Sequence, residues 1–213
     1  MTTLLLIRHG ESEANRQKIF AGHLDVALQN TGLRQAQTTA QYIMDNYKVD
    51  KVYASDLKRA FDTGKCVADL IGTSPVPDKN LREIYAGKWD GRKFDDLAND
   101  FKEDYHTWLT DIGNSRCTDG ESVRELSERI MSVLTDIAQN NLDKTVVVAT
   151  HATPIRAVQC LLSGLSLDSM KDVPWVTNAS VTEISYGNGE WHLIKAGEDA
   201  HLSELRTELP ANV

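Results

Sequence analysis

The sequence predicts an α/β fold: a doubly wound, mainly parallel sheet with helices on both faces and a C-terminal hairpin at one edge. Two apolar runs, Leu4–Ile7 and Val146–Ala149, contain no alternating polar residues, which is typical of strands buried on both faces. Longer stretches with apolar residues every three or four positions lie between the strands, as expected for amphipathic helices. Because strands that alternate with helices form parallel sheets, this order predicts the layered architecture.

The first half of the chain continues with a helix, a strand and a second helix. A helical pattern extends from Thr31 to Tyr47, and a short second strand follows at Lys51–Ala54. Ser55 or Asp56 is expected to cap the next helix, which runs to about Leu70, because short polar side chains can accept hydrogen bonds from the free N–H groups of the first turn.

The middle of the chain is the least regular part. Thr73–Asp78 contains two prolines and is expected to end the preceding helix. The segment of about 80–114 is expected to form short helices that cover one end of the sheet and set substrate specificity. Some of its aromatic side chains can line a lid or pack in the core, and both alternatives remain open: Trp89, Phe94, Tyr105 and Trp108.

The last third of the chain contains a helix, a buried strand, another helix and the hairpin. Ser122 and Glu125 have the spacing of a capping box and predict the start of the first helix. After the strand ending at Ala149, Pro154 fits the first turn of a helix that reaches about Ser163. The hairpin is predicted to pair residues 181–185 with 191–194 around a Gly-Asn-Gly turn, and the tail after residue 206 is expected to be loose.

Composition and charge limit which kinds of partner are possible. The 213 residues carry a net charge of −8, which argues against nucleic acid or an anionic membrane as a partner. Cys66, Cys117 and Cys160 are odd in number and widely spaced, so neither disulfides nor a zinc site is expected. No apolar stretch is long enough for a signal peptide or a membrane span. We therefore expect one cytoplasmic domain, 1–213, acting as a monomer or homodimer.

Two predicted strands end in histidine, and a third is followed by arginine. The first strand leads directly into Arg8 and His9, and the strand ending at Ala149 leads into His151. The second strand precedes a helix that has Arg59 in its first turn. Because ligands bind beyond the carboxyl ends of parallel strands, these side chains are expected to form a local positive cluster there, next to a helix N-terminus that favours anions.

This cluster suits phosphoryl transfer. A neutral imidazole such as that of His9 can attack phosphorus and carry the phosphoryl group as a covalent intermediate. Arg8 and Arg59 can hold the non-bridging oxygens in bidentate fashion, while His151 and Asn15 can donate further hydrogen bonds. A carboxylic acid is expected nearby to protonate the leaving oxygen. No metal or cofactor is required, and no carboxylate cluster typical of a magnesium site is seen in the sequence.

The residues of this cluster lie in segments that resemble a known family. Leu6–Ser12, with the sequence Leu-Ile-Arg-His-Gly-Glu-Ser, resembles the signature of the histidine phosphatase superfamily, which includes the cofactor-dependent phosphoglycerate mutases. The resemblance implies a phosphoglycerate mutase-like fold. Further matching blocks follow in the family's order over most of the chain: Gly22–Asp25, Thr31–Ala36, Ser55–Ala60, Leu81–Glu83, Gly87–Gly91, Gly120–Ser122, and His151 with Arg156.

The resemblance implies a role for each candidate residue. It implies that His9 is the phosphorylated nucleophile and that Glu83 is the proton donor. Residue chemistry alone did not distinguish Glu83 among the 31 aspartates and glutamates. The implied catalytic residues are His9, Glu83, His151, Arg8 and Arg59, and the implied substrate-binding residues are Arg8, Asn15, Gly22, Arg59 and His151.

Details within the family pattern favour a phosphatase. Phe94 occupies the position of a lysine usual in the mutases, Ala86 replaces a tyrosine, and no Arg-Arg pair occurs between residues 95 and 120. We expect a metal-independent phosphatase that hydrolyses phosphomonoesters of small molecules through a phosphohistidine at His9. The alternative is a cofactor-dependent phosphoglycerate mutase. A catalytically silent phosphate-binding module is disfavoured, because the nucleophile, both arginines, the second histidine and the acid are all present.

Overall fold

A six-stranded mixed sheet forms the centre of the part of the chain that the structure describes. The computed structural model describes residues 1–208, and its strand order is β3-β2-β4-β1-β5-β6. The first four strands of this order run parallel, and the C-terminal hairpin β5–β6 adds an antiparallel edge next to β1. This arrangement confirms the predicted fold class. The strands are β1 (Thr2–Arg8), β2 (Lys51–Ala54), β3 (Val76–Pro77), β4 (Thr145–Thr150), β5 (Val181–Gly187) and β6 (Glu190–Glu198).

Within residues 1–208, seven α-helices pack around this sheet or over its edge. They are α1 (Glu13–Gln17), α2 (Asn30–Asn46), α3 (Lys58–Leu70), α4 (Phe94–Asp100), α5 (Lys102–Thr110), α6 (Val123–Gln139) and α7 (Ala152–Leu162). Short 3-10 helices connect several of them, at Lys79–Leu81, Gly87–Trp89, Ile112–Asn114, Leu167–Asp172 and Ala200–Leu205.

The two central strands bury side chains on both faces of the sheet, which is why their sequences lack polar alternation. On one face, Leu4 and Leu6 pack with residues of α6 and α7 such as Leu134. On the other face, Leu5 packs with residues of α2 and α3 such as Ile43. Burying each of these side chains stabilises the fold by about 2 kcal/mol. The two layers therefore hold β1 and β4 rigidly, with their carboxyl ends at one edge.

Residues 80–114, here called the cover, contain short helices, and Phe94 and Trp108 of the cover lie beside Arg8 and His9 at that edge. Trp89 and Trp108 are buried and pack edge-to-face, with ring centroids 5.9 Å apart. Phe20, which precedes the segment in sequence, packs against Trp108 with centroids 5.2 Å apart. These contacts give the cover an aromatic core of its own. Within residues 1–208, no helix combines the length and the apolar character needed to cross a bilayer.

One local prediction is wrong. Neither Ser55 nor Asp56 caps α3, because the N-cap residue is Leu57 and it makes no side-chain capping bond. The Ser55 hydroxyl instead contacts His151, so the polar residue at this strand end contributes to the functional cluster. Thr73–Asp78 ends the helix as expected but also contains the two-residue strand β3, which pairs with β2. Of the predicted loose tail, residues 209–213 lie outside the described residues.

Candidate active site

The strand ends bring the predicted residues together. Arg8 and Thr150 are paired in the register of β1 and β4, and the pairing extends one residue further because the N–H of His9 donates to the Thr150 carbonyl at 3.0 Å. The Asn178 amide donates to the His9 carbonyl at 3.0 Å from the opposite side. Sequence reasoning missed Asn178, which follows no motif. These bonds fix the backbone of His9 at the sheet edge.

The His9 ring is held with one nitrogen available for reaction. Its Nδ1 lies 2.7 Å from the Gly10 carbonyl, which can only accept, so Nδ1 carries the proton. Its Nε2 is then unprotonated and accepts a hydrogen bond from Arg59 Nε at 3.3 Å. Gly10 permits this geometry, since a Cβ there would lie 2.2 Å from the Gly32 carbonyl oxygen. Burial and the nearby guanidinium of Arg59 hold the pKa of His9 well below its usual range.

Arg59 connects His9, which follows β1, to the loop that carries Gly22. From the first turn of α3, its Nη1 donates to the Leu24 carbonyl and its Nη2 to the Gly22 carbonyl, both at 2.8 Å. Burial lowers the pKa of Arg59 to about 10, which leaves it protonated at neutral pH. Gly22 is required here, because its φ is +41° and a Cβ would lie 2.3 Å from Asp90 Oδ1.

Arg8 is a second buried guanidinium on the same side of the pocket. Its Nη1 donates to the Val176 carbonyl at 2.5 Å, while its Nε is buried and has no partner within residues 1–208. Burial lowers the pKa of Arg8 to about 10, an effect that the negative charge of Glu83 partly offsets. A buried donor without an acceptor lowers the stability of the fold. The free N–H of Arg8 is therefore available to bind an anion.

His151 lies beneath the pocket rather than on its surface. It is fully buried and packs edge-to-face with His9, with centroids 5.2 Å apart. Its Nε2 lies 2.9 Å from Ser55 Oγ, and its Nδ1 has no partner among the described residues. Since Ser55 Oγ already accepts from the Leu57 N–H at 3.3 Å, its own proton is available for Nε2. That assignment leaves a proton on Nδ1 for donation.

Glu83 brings a carboxyl group to the same pocket. Its Oε1 accepts from the Ile84 N–H at 2.9 Å, and its Oε2 accepts from the Thr153 N–H at 3.4 Å. Thr153 belongs to the first turn of α7, the helix that begins directly after His151. The charge of Glu83 also favours the protonated form of both buried arginines. Such a group can exchange a proton with a ligand oxygen.

The resulting pocket has a charged floor and an apolar wall. Its empty space, including the solvent at its open mouth, is about 560 Å³. Asn15 lines it, with its Oδ1 accepting from the Ser12 N–H at 3.0 Å and from Asn178 Nδ2 at 3.3 Å. Part of the wall comes from residues that sequence reasoning did not assign to the site, because isolated aromatic and aliphatic residues carry no motif: Ile19, Phe20 and Trp175. Phe94 and Trp108 complete the wall, so they serve both the core and the pocket.

Comparison with known proteins identifies the family. The family model described as histidine phosphatase superfamily (branch 1) matches residues 4–199. The chain belongs to the histidine phosphatase superfamily. Among its relatives, phosphoserine phosphatase 1 of Hydrogenobacter thermophilus is 29% identical, covering 98% of this chain and 98% of the relative. Phosphoglycerate mutase-like protein 4 of Arabidopsis thaliana is 32% identical, covering 94% of this chain and 87% of the relative.

A solved structure has the same fold. YhfR of Bacillus stearothermophilus superposes with a TM-score of 0.90 over 95% of this chain and 100% of that chain. At 24% identity, this likeness shows the fold alone. The family assignment confirms the resemblance inferred from the sequence, and the phosphatases of this superfamily support the predicted enzyme class, a phosphoric monoester hydrolase.

The buried histidines predict that the protein loses stability in mild acid. The pKa values of His9 and His151 lie well below their usual range, whereas in the unfolded chain histidine titrates near about 6.5. As pH falls below that value, the unfolded state binds more protons than the folded state, so the free energy of unfolding decreases. Asp90 acts in the opposite direction. Burial raises its pKa to about 6, so the folded state binds one proton there more readily than the unfolded state does. Burial also lowers the pKa values of His23 and His201, so the free energy of unfolding should fall by about 1 kcal/mol or more per pH unit.

Urea unfolding at pH 7.5, 6.5 and 5.5 measures this slope. His151→Gln removes one titrating group and should make the slope shallower, whereas His106→Gln, at an exposed position, should leave it unchanged. Equal slopes for the wild-type protein and His151→Gln would contradict the assignment of a neutral, buried His151.

Proposed function

We propose that this protein is a metal-independent phosphatase that hydrolyses small phosphomonoesters through a phosphohistidine at His9. The observation that carries the proposal is the state of the His9 ring, whose unprotonated Nε2 lies in a pocket beside two buried guanidinium groups. A neutral imidazole nitrogen is a nucleophile toward phosphorus. The cations of Arg8 and Arg59 can offset the charge that builds up on the phosphoryl oxygens.

The proposed reaction has two steps. On binding of the phosphate dianion, Glu83 takes up a proton from solvent. His9 Nε2 then forms a bond to phosphorus while the bond from phosphorus to the alcohol oxygen breaks, and Glu83 gives that proton to the alcohol oxygen. Water then attacks the phosphohistidine, Glu83 takes a proton from the water, and the bond from phosphorus to Nε2 breaks to release phosphate. Glu83 returns its proton to solvent as phosphate leaves, and each side chain is then in its starting state. His151 contributes a hydrogen bond from Nδ1 to the phosphoryl group, and Asn15 contributes one from its amide.

The pocket wall favours alcohols with an apolar part. The side chains that surround the charged floor on the cover side are Ile19, Phe94, Trp108 and Trp175, and no lysine lines the pocket within the described residues. Burying apolar surface contributes about 25 cal/mol per Å². A substrate carboxylate would lose hydration without gaining a cation of its own there. The substrate class that we propose is therefore an uncharged alcohol ester of phosphate with an aromatic or aliphatic group.

The same wall argues against the mutase alternative. Phosphoglycerate carries a carboxylate that must be held while the phosphoryl group moves between positions. The arginines of the pocket, Arg8 and Arg59, already lie at the proposed phosphoryl site. Phe94, which stands where the mutases usually have lysine, lines the pocket.

Phe94→Lys tests the proposed substrate class. For the wild-type protein, in buffer with EDTA, we expect kcat/KM for 2-phenylethyl phosphate to exceed that for n-propyl phosphate and O-phosphoserine about tenfold, since a buried ring contributes about 1.5–3 kcal/mol. The ammonium group of the variant should reverse this preference by pairing with the serine carboxylate. Steady-state release of phosphate measures all three rates.

The matched control is Phe101→Lys, because Phe101 packs against the same aromatic cluster but does not line the pocket. It should lower stability without changing the order of the substrates. Equal rates for the phenylethyl and propyl esters in the wild-type protein would contradict the apolar preference. Loss of all activity in EDTA would contradict the metal-independent mechanism.

A further inference from the structure

The segment that carries Glu83 has no regular backbone pairing of its own. It lies between the 3-10 helices Lys79–Leu81 and Gly87–Trp89, outside the strands of the sheet. Irregular backbone is held in place by whatever satisfies its N–H and C=O groups. The position of the Glu83 carboxyl therefore depends on side chains that bind this segment from outside.

One guanidinium binds three carbonyl groups within this segment and in the 3-10 helix just before it. Arg129, on α6, donates from Nη1 to the carbonyls of Asn80 at 2.7 Å and Arg82 at 3.1 Å. Its Nη2 donates to the carbonyl of Glu83 itself at 3.2 Å. The planar, five-donor fork of arginine can satisfy several acceptors at fixed angles, which the ammonium of lysine cannot do.

Glu121 completes the arrangement from the other end of the segment. It accepts from Arg129 Nε at 2.9 Å and from Arg129 Nη2 at 2.8 Å, and its Oε2 also accepts from the Tyr85 N–H at 3.1 Å. The two side chains are only 20% and 14% exposed, so water screens the ion pair weakly. Gly120 allows the close approach, because a Cβ there would lie 2.3 Å from the Tyr85 carbonyl oxygen.

We propose that Arg129 and Glu121 are positioning residues for Glu83 and hold its carboxyl where it protonates the departing alcohol oxygen. Together they bind the backbone before, at and after Glu83, and neither lines the pocket. Displacing a catalytic group by about 1 Å can reduce a rate about 100-fold, so a contact outside the pocket can control proton transfer. The inference rests on the proposed function of Glu83.

The dependence of rate on the leaving group tests this role. A 4-nitrophenolate ion leaves without protonation, whereas the alkoxide of 2-phenylethanol needs a proton. For Arg129→Lys we expect kcat/KM for 2-phenylethyl phosphate to fall at least tenfold and that for 4-nitrophenyl phosphate to fall less than threefold. Glu83→Gln should show the same selectivity with larger losses. The ratio kcat/KM is the right measure, because it reports formation of the phosphohistidine.

Two further variants keep the outcome clear. Glu121→Gln removes the charge of the ion pair with little change of shape, and should show the same selective loss if Arg129→Lys does not fold. Arg124→Lys makes the same change at an exposed position on the same helix and should change neither rate. Parallel losses for the two substrates in Arg129→Lys and Glu121→Gln would overturn the positioning role while leaving the phosphatase intact. If Glu83→Gln affects both substrates equally, the proposed function of Glu83 itself fails.

Discussion

His9→Ala is expected to reduce kcat/KM for 4-nitrophenyl phosphate about 10⁴-fold or more. Nothing else in the described pocket offers an unprotonated nitrogen at the position of Nε2, so the covalent step has no substitute. The fold should survive, because the Thr150 and Asn178 bonds to residue 9 use only its backbone. Inorganic phosphate should still raise the melting temperature of the variant, since Arg8 and Arg59 remain.

Trapping the intermediate makes this prediction specific to the histidine. Rapid mixing with ³²P-labelled substrate and an alkaline quench should leave label on the wild-type protein, because the bond between phosphorus and imidazole nitrogen survives alkali but not acid. His9→Ala should carry none. His106→Ala, at an exposed position on the cover segment, should carry as much as the wild type. Label that remains on His9→Ala, or label that survives acid and not alkali, would exclude phosphohistidine at this position.

The low pKa of His9 also predicts the acid limb of the pH profile. Since burial and two guanidinium groups disfavour the imidazolium form, the nucleophile stays neutral well below about pH 6.5. The measurement is kcat/KM as the pH is lowered from 8, together with the amount of label on His9. If both already fall in parallel above about pH 6.5, the buried, neutral His9 is contradicted.

The sequence predicts the parts of the site that follow from strand topology. His9, His151 and Arg59 follow buried strands or open the helix after one, and parallel strands deliver such residues to one edge. Glu83 was assigned only through the family resemblance, because it lies on irregular backbone whose position depends on Arg129, 46 residues away in sequence. Local patterns carry no information about such a contact.

The apolar wall of the pocket was missed for a different reason. Trp175 reaches the pocket from the connection between α7 and β5, and its ring packs under the guanidinium of Arg156, 4.2 Å from the centroid. Ile19 and Phe20 come from the loop after α1. The three meet only because the cover helices pack over the sheet edge. Specificity therefore depends on tertiary packing, whereas the proposed chemistry depends on strand ends that a sequence can reveal.

Arg59→Lys is expected to lower kcat/KM about 10²- to 10³-fold while conserving the positive charge. Arg59 donates from Nε to His9 and from its two terminal nitrogens to the Gly22 and Leu24 carbonyls. Lysine cannot reproduce these three directions. The loss combines a misplaced cation in the transition state with a nucleophile whose ring is less well oriented.

Comparing the two kinetic constants distinguishes this effect from simple unfolding. Because the cation acts mainly on charge that develops in the transition state, kcat should fall more than KM rises. Arg124→Lys, the same change at an exposed position on α6, should leave both constants unchanged. A rise in KM alone would mean that Arg59 binds the phosphate group equally in the ground and transition states, and the catalytic part of its proposed role would then fail. Retention of full activity would remove Arg59 from the phosphoryl site altogether, leaving Arg8 as the guanidinium that stabilises the transferred group.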